Sequence, residues 1–309
     1  MNAPRWHHYS HCGMRLRAEF ELHLPESDDT EWDVEVVWGP DIVDSAAPPP
    51  GTVIASYSTK AGTWYTGTAT GDGYLMRFAD CGEFVISAQL DRVEVRRDWA
   101  GEAHILPVLM AGTVGAFLLT LRGATVLHAS AVAIDGGALA FIGNSGRGKS
   151  TMATVMCLAG ADLVTDDVLT IDVGPPVTCR GGASELRLRA GAAPLADQSA
   201  ASRRTTEDDR LALSSARAVD APLPLGAIVV PSPSRDVEQI QIELISPGDA
   251  VGAILAFPRI HGWSDPGVLA RDFATIGKVV NAVPLYHAII PWGPPFDPHV
   301  ARSLADLVR

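Results

Sequence analysis

The feature that most constrains this chain is the octapeptide Gly143-Asn144-Ser145-Gly146-Arg147-Gly148-Lys149-Ser150, which fits G-x-x-x-x-G-K-[ST] without a mismatch. That pattern needs a strand in front of it and a helix behind it. Residues 138–142 are a short apolar run typical of a buried strand, and residues 151–158 contain no helix breaker. The sequence therefore predicts a strand, a phosphate-binding loop and a helix in succession.

The residue types in the loop explain why it would bind phosphate. Glycines allow successive backbone N–H groups to point inward as an anion nest, and the positive end of the helix dipole adds to their field. Lys149 can reach the outer phosphates of a nucleotide, and the Ser150 hydroxyl can hold Mg²⁺. We therefore predict that the whole loop, together with Thr151, binds ATP with Mg²⁺.

Two adjacent carboxylates follow the predicted helix. Residues 162–165 have the pattern of a strand, which we expect to end at Asp166 and Asp167. Carboxylates at the end of a strand beside a phosphate loop are placed to hold a metal ion and to accept a proton from an attacking hydroxyl. His128 lies on the strand that precedes the loop strand.

These residues resemble the HPr kinase/phosphorylase family and its wider relatives, the kinase-like proteins of gene clusters for ribosomally made peptides such as lasso peptides. In that family a His precedes the loop Lys by 21 positions and paired Asp residues follow it by 17 and 18, as His128, Lys149, Asp166 and Asp167 do here. The resemblance implies that Asp167 accepts the proton of the substrate hydroxyl and that His128 supports this carboxylate. It implies that Lys149 and Ser150 bind phosphate and Mg²⁺.

The resemblance also implies a second acidic metal ligand. The family has one in a Glu-Ile-Arg run, and the counterpart here is Glu185-Leu186-Arg187, so the expected Mg²⁺ ligands are Ser150, Asp166 and Glu185. The glycine-rich signature that follows this run in the bifunctional enzymes is replaced by LRAGAAP at 188–194. Phosphorylase activity is therefore not implied.

The family's further catalytic Arg cannot be assigned by motif. The candidates are Arg203, Arg204, Arg210 and Arg217, in a stretch at 198–217 that is rich in Ser, Thr, Arg and acids. Such a composition predicts a mobile surface loop, which in a kinase could also close over the nucleotide.

The expected fold is an α/β, P-loop, HPr-kinase-like (PEP carboxykinase-like) core with an N-terminal antiparallel β-rich domain. The boundaries that we predict are 1–100 for the β-rich domain and 101–309 for the kinase domain. Seven short strands with a period of two are predicted between residues 15 and 96, after a loosely packed amino terminus. Residues 105–121 carry no charge and are predicted to form a buried helix, because the run is shorter than the ~20 residues that a membrane span needs.

The net charge limits the classes of partner that we expect, and the cysteine content indicates the cellular location. A net charge of −12 disfavours nucleic acid and anionic membranes as partners and leaves room for a basic peptide. Cys12, Cys81, Cys157 and Cys179 are far apart, as in cytoplasmic proteins without a disulfide framework. Since the amino terminus also has no signal-peptide pattern, we expect a cytoplasmic protein, with a homo-oligomer possible.

The sequence as a whole predicts an ATP- and Mg²⁺-dependent kinase that phosphorylates a serine of a peptide or small protein, with a lasso-type precursor peptide as the first choice. Three alternatives stay open. They are an HPr(Ser) kinase/phosphorylase acting on a carrier protein, a kinase of a small metabolite, and a non-catalytic module that binds peptides in response to nucleotide. Neighbouring genes that encode a short precursor peptide would favour the first choice.

Overall fold

The computed structural model describes residues 5–60, 62–182, 185–198, 202–206, 210–214, 219 and 221–308. The chain divides into two compact units, Met1–Ala124 with Ile260–Arg271 and Thr125–Arg259 with Asp272–Arg309. The domain boundary that the sequence suggests at residue 100 stays a prediction, because compactness alone does not establish which segments fold independently.

The first unit contains one eight-stranded sheet, with the strand order β1-β2-β3-β8-β7-β6-β5-β4. Its strands are β1 His7–His11, β2 Met14–Ala18, β3 Val34–Trp38, β4 Thr52–Thr59, β5 Gly62–Thr70, β6 Gly73–Phe78, β7 Gly82–Ser87 and β8 Arg92–Arg97. Strand β1 pairs with β2 from His7 to His11, so the expectation of a loosely packed terminus is wrong for these residues. Burial of Tyr9 and His11 ties this strand to the core.

The predicted antiparallel character holds for only part of this sheet. Strand β3 is parallel to both of its neighbours, β2 and β8, whereas β4 to β8 form an antiparallel meander. Parallel neighbours need a long connection, and residues 19–33 provide one between β2 and β3. The sheet is therefore mixed, which the alternation of side chains within single strands could not reveal.

The uncharged run of the first unit is helical, as predicted. It comprises a 3₁₀ turn at Ala103–Ile105, helix α1 Leu106–Leu109, a π-helical turn at Met110–Val114 and helix α2 Gly115–Leu121. Within the part of the chain that the structure describes, Ala103–Leu121 is the one helical segment with the length and hydropathy to cross a membrane, and 67% of its most apolar window is buried. It is therefore mostly a core element of the folded chain.

The second unit is built on a seven-stranded sheet of order β10-β9-β11-β12-β16-β18-β17, with a separate three-stranded sheet of order β13-β15-β14. The strands are β9 Thr125–Ile134, β10 Gly137–Ile142, β11 Asp162–Asp172, β12 Thr178–Arg180, β13 Glu185–Leu188, β14 Arg203–Thr205, β15 Leu211–Ser214, β16 Leu223–Ser234, β17 Gln241–Leu244 and β18 Leu285–Pro291. The helices are α3 Lys149–Leu158, α4 Ala193–Ala196 after a 3₁₀ turn at Ala190–Ala192, α5 Pro247–Leu255, α6 Pro266–Ala282 and α7 Pro298–Ala305. Helix α6 contains the unit boundary at residue 271. The chain as a whole is a mixed α/β protein with large sheets.

The direction of three strands determines where the loop lies. Strand β10 is parallel to β16, and β16 is parallel to β18, so their carboxyl ends meet at one edge of the sheet. Strands β9 and β11 are antiparallel to each other, and β9 is antiparallel to β10. The phosphate-loop motif follows β10 and therefore lies at the edge where these parallel strands end.

Side chains alternate between two hydrophobic clusters on the sheet. Leu139 and Phe141 of β10 pack with Met152 and Met156 of α3, while Ala140 and Ile142 belong to the second cluster with residues of α5 and α6. The period of two in β10 therefore buries both of its faces, which explains why this strand is apolar throughout.

The stretch at 198–217 is not a plain surface loop in its described parts. Arg203–Thr205 and Leu211–Ser214 form strands β14 and β15, and β15 also pairs with β13. Apolar residues at Leu211 and Leu213 pack into the cluster beneath α3, which outweighs the polar composition around them.

Candidate active site

The motif adopts the conformation that its glycines allow. The loop connects β10 to α3, and the backbone φ angles are +147° at Gly143, +81° at Gly146 and +95° at Gly148. Residues other than glycine rarely adopt these backbone angles, so the three glycines are needed for the shape of the loop. Gly148 immediately precedes α3, and the loop therefore ends at the positive pole of that helix.

Lys149 lies over its own loop and is 7% exposed. Its Nζ donates to the carbonyl oxygens of Gly143 at 2.7 Å and Asn144 at 3.3 Å. Burial lowers the pKa of Lys149 to about 8, although the carboxylates of Asp166 and Asp167 act in the opposite direction. The ammonium group is thus within electrostatic range of both predicted acids, and phosphate oxygens could replace the carbonyls as its acceptors.

The remaining predicted loop residues differ in exposure. Asn144, Ser145, Gly146 and Arg147 are exposed, so they are open to a ligand, and Thr151 is half-buried in the first turn of α3. Arg147 N donates to the Asn144 carbonyl at 3.2 Å, which closes a turn within the loop.

Asp166 is buried, and each of its carboxylate oxygens accepts a hydrogen bond. Its Oδ1 accepts from Ser130 Oγ at 2.6 Å and its Oδ2 from the backbone N–H of Arg187 at 2.7 Å. Burial raises the pKa of Asp166, and hydrogen bonds from the Arg187 backbone, Ser130 and Ser150 oppose that rise. Ser130 is also opposite Phe141 near the end of β10, so Asp166 is level with the point where the loop begins.

Asp167 is in contact with two arginines and a histidine. Its Oδ2 accepts from Arg259 Nη2 at 2.7 Å, and Arg187 Nη2 lies 3.6 Å from the same oxygen. His128 Nδ1 is 3.0 Å from Oδ1, the contact expected of a residue that supports this carboxylate. Burial by itself raises the pKa of Asp167, but Arg259, His128 and Arg187 outweigh it and hold the pKa well below its usual range.

The two Asp residues do not end a strand. Strand β11 continues through them to Asp172, and it pairs antiparallel with β9 so that Asp166 faces Ser130 and Val168 faces His128. The apolar, β-branched run after Asp167 explains the extension. The expectation that the strand ends at this pair is therefore wrong, and the catalytic and metal-binding roles of the pair stay predictions.

Glu185 is placed differently from Asp166. Its two carboxylate oxygens accept from Arg204 Nε at 3.0 Å and Nη2 at 2.7 Å, and Ser214 Oγ lies 3.5 Å from Oε1. Within the described residues, no three His, Cys, Asp or Glu side chains form a group that could hold a metal ion by themselves. The metal role of Glu185 stays a prediction, and it requires the pair with Arg204 to open.

The four candidate arginines differ in their partners and positions. Arg203 pairs with Asp197, Arg204 pairs with Glu185, Arg210 is near enough to Lys149 to lower its pKa, and Arg217 lies outside the described residues.

Three arginines contact the site without having been assigned a role from the sequence. Arg187 and Arg259 contact Asp167, and Arg189 Nη2 donates to Ser145 Oγ of the loop at 2.8 Å. Arg187 and Arg189 could have been identified from the alternation of β13 beside Glu185. Arg259 carries no local sequence signal.

No family model and no curated protein matches this chain in sequence. Among solved structures it is similar to the HPr(Ser) kinase/phosphatase from Coxiella burnetii, at 11% identity over 59% of this chain and 94% of that chain, with a TM-score of 0.30. A likeness at this score does not establish a shared function.

Proposed function

We propose that this protein is a kinase that transfers the γ-phosphate of ATP to a serine hydroxyl of a peptide or small protein. The observation that carries the proposal is the register of β9 with its two neighbours: Ala129 and Ser130 are opposite Ile142 and Phe141, which lead into the loop, and also opposite Asp167 and Asp166. It brings a phosphate-binding motif and a carboxylate pair into one site. A phosphoryl-transfer enzyme needs both, because it must neutralise phosphate charge and receive a proton from the acceptor.

The oxygen donors at this point fit Mg²⁺, which prefers carboxylate and hydroxyl oxygens and also binds substrate phosphates. Ser150 and Asp166 would hold the ion, with Glu185 as a third ligand once Arg204 releases it. When bound, Mg²⁺ would offset the negative charge on the phosphates. The buried Asp166 is suited to this role because its burial disfavours an isolated negative charge and so favours a cation nearby.

Asp167 would act on the acceptor. As the serine oxygen forms its bond to the γ-phosphorus and the bond to ADP breaks, the hydroxyl proton passes to the Asp167 carboxylate. His128 and Arg259 keep that carboxylate ionised and fixed in orientation through their contacts at 3.0 Å and 2.7 Å. Lys149 would exchange its loop carbonyls for phosphate oxygens, and positioning would supply much of the rate.

The acceptor is proposed from the charge of the chain and from its motifs. The net charge of −12 suits a basic peptide, and the choice of a lasso-type precursor over a carrier protein follows from the resemblance in the motifs. None of the four cysteines, all of which lie in the described residues, is in a disulfide, which supports a proposed cytoplasmic location, and a homo-oligomer belongs to the proposal as well.

The test is intact-mass spectrometry of serine-containing basic peptides, including candidate precursors, after incubation with the protein, Mg²⁺ and ATP. Each transferred phosphoryl group adds about 80 Da. Matched peptides with Ala in place of Ser are the control. We expect the gain only with serine and only with an intact Asp167. A mass gain on serine peptides that Asp167→Asn leaves unchanged would contradict the proposed role of this residue.

A further inference from the structure

An exposed aromatic side chain stands at the edge where the parallel strands end. Trp292 follows β18 directly and is 56% exposed. The guanidinium of Arg235, which follows β16, lies 4.2 Å from the centroid of the indole ring. Arg235 can orient the ring by this cation–π contact, and the exposed fraction leaves ring surface for a planar ligand.

The register of the strands places this pair beside the phosphate loop. Ser234 of β16 is opposite Pro291 of β18 in the last pair of their register. Arg235 and Trp292 are the next residues of the two chain segments. The preceding Pro233 is in contact range of the loop, because its Cγ would be 3.4 Å from a Cβ built on Gly148. Trp292 and Arg235 thus extend from the same sheet edge that carries the loop.

Continued one residue past the ends of the two strands, the alternation of side chains assigns Arg235 and Trp292 to the face of the sheet that α3 covers. Val229 and Ile290 belong to the same hydrophobic cluster as Met152 of α3. Counting in steps of two, the alternation runs from Val229 to Arg235 and from Ile290 to Trp292. The indole is therefore on the side where α3 begins and where a nucleotide would extend away from its phosphates.

We propose that Trp292, oriented by Arg235, stacks against the base of the nucleotide whose phosphates the loop binds. This inference rests on the proposed function, since it assumes a nucleotide in the loop. Stacking on an indole provides affinity for any base and more for the larger purine ring, and it reads no hydrogen-bonding pattern. The surface would therefore hold a purine nucleoside triphosphate without distinguishing adenine from guanine.

The experiment compares the affinities of ATP, GTP and inorganic triphosphate, each with Mg²⁺, for the full chain and three variants. Trp292→Ala removes the ring, Trp292→Phe keeps a smaller one, and Trp99→Ala is the control, because Trp99 is 72% exposed and lies in the other unit. We expect Trp292→Ala to weaken ATP and GTP by at least about fivefold and to leave triphosphate within about twofold. Trp292→Phe should recover most of the loss, and Trp99→Ala should change nothing.

The outcomes separate this inference from the proposed function. Wild-type binding of ATP that Trp292→Ala leaves unchanged would overturn the stacking role and leave the kinase proposal standing. An equal loss of ATP and triphosphate would also overturn it, because a base-stacking residue cannot act on a ligand without a base. A wild-type chain that binds neither ATP nor triphosphate would overturn the proposed function and, with it, this inference.

Discussion

One carboxylate, that of Asp167, receives the contacts of two arginines and a histidine. Arg259 and His128 are at hydrogen-bonding distance from it, and Arg187 is slightly farther away. Such surroundings keep a buried carboxylate ionised, since they compensate for its loss of hydration. The arrangement keeps Asp167 ionised, and because a lowered pKa also makes it a weak base, we expect it to orient the hydroxyl and to take the proton only as the bond to phosphorus forms.

Replacing Asp167 with Asn tests whether its carboxylate accepts the proton. The amide keeps the shape of the side chain but cannot accept the proton, so we expect phosphoryl transfer to fall by about 10²- to 10⁴-fold. ATP affinity should stay within about threefold, because the loop is untouched. Rates from quenched-flow or mass assays and affinities from calorimetry provide the two measurements.

The matched control for this change is Asp172→Asn, an exposed position at the end of the same strand. We expect it to leave both quantities unchanged. A transfer rate that is equally reduced in the two variants would assign the effect to β11 as a whole and remove Asp167 as the proton acceptor.

The first unit offers an electrostatic test of stability. Arg15 bonds to Asp33 through Nη2 at 2.9 Å and Nε at 3.2 Å, and this pairing lowers the pKa of Asp33 against the opposing effect of burial. A lowered folded-state pKa contributes stability above the ordinary carboxyl pKa of about 4, and that stability is lost as the pH falls through the lowered value. Arg15→Gln should therefore have a lower urea midpoint than the wild type at pH 7, and this difference should disappear in strong acid.

Arg97→Gln is the control for the Arg15 variant. Its ion pair with Asp41 is 49% and 43% exposed, so we expect a change below about 0.5 kcal/mol at any pH. A deficit in Arg15→Gln that is as large in strong acid as at pH 7 would show that lost packing, and not the Asp33 charge, causes the destabilisation.

Single elements show how far sequence patterns predict this fold. Strand β10, the loop and α3 are contiguous in the chain, and their signals are local, so they could be predicted from one segment. The parallel pairing of β3 with β2 and β8 depends on a long connection and on distant partners. Local alternation contains no information about either, and the first sheet was therefore expected to be antiparallel.

Two glycines provide opposite predictions for elements of the second unit. At Gly181 an added Cβ would lie 2.0 Å from the carbonyl oxygen of Val164 in β11. The backbone at residue 181 would therefore have to move away from β11 in Gly181→Ala. We expect it to destabilise the chain by about 1–3 kcal/mol. At Gly277, within α6, a Cβ would meet nothing within 4 Å, and Gly277→Ala should stabilise by about 0.5–1 kcal/mol.

Chemical unfolding of the two variants at neutral pH measures both effects. Since Val164 precedes Asp166 by two positions on β11, Gly181→Ala should also slow phosphoryl transfer, whereas Gly277→Ala should not. Unchanged stability in Gly181→Ala would contradict the close packing of this glycine against β11.

At the scale of the whole chain, the candidate site combines residues that are near in sequence with residues that are not. The loop, the Asp pair and His128 lie within one stretch whose spacing could be read directly. Arg259 reaches Asp167 only because of the tertiary fold, and it has no motif around it. The tight pairing of Glu185 with Arg204 likewise depends on β13 and β14 flanking β15, which the polar composition of that stretch concealed.

The measurement that tests most directly whether this loop binds a nucleotide is calorimetric titration of the full chain with ATP and Mg²⁺. It is repeated with Lys149→Ala and with the metal removed by a chelator. We predict saturable binding to the wild-type chain, weaker binding without Mg²⁺, and a loss of about 10-fold or more in Lys149→Ala, since a charge-assisted contact to phosphate is removed. Absence of binding to the wild-type chain, or equal binding to both proteins, would contradict the assignment of this loop as a nucleotide site.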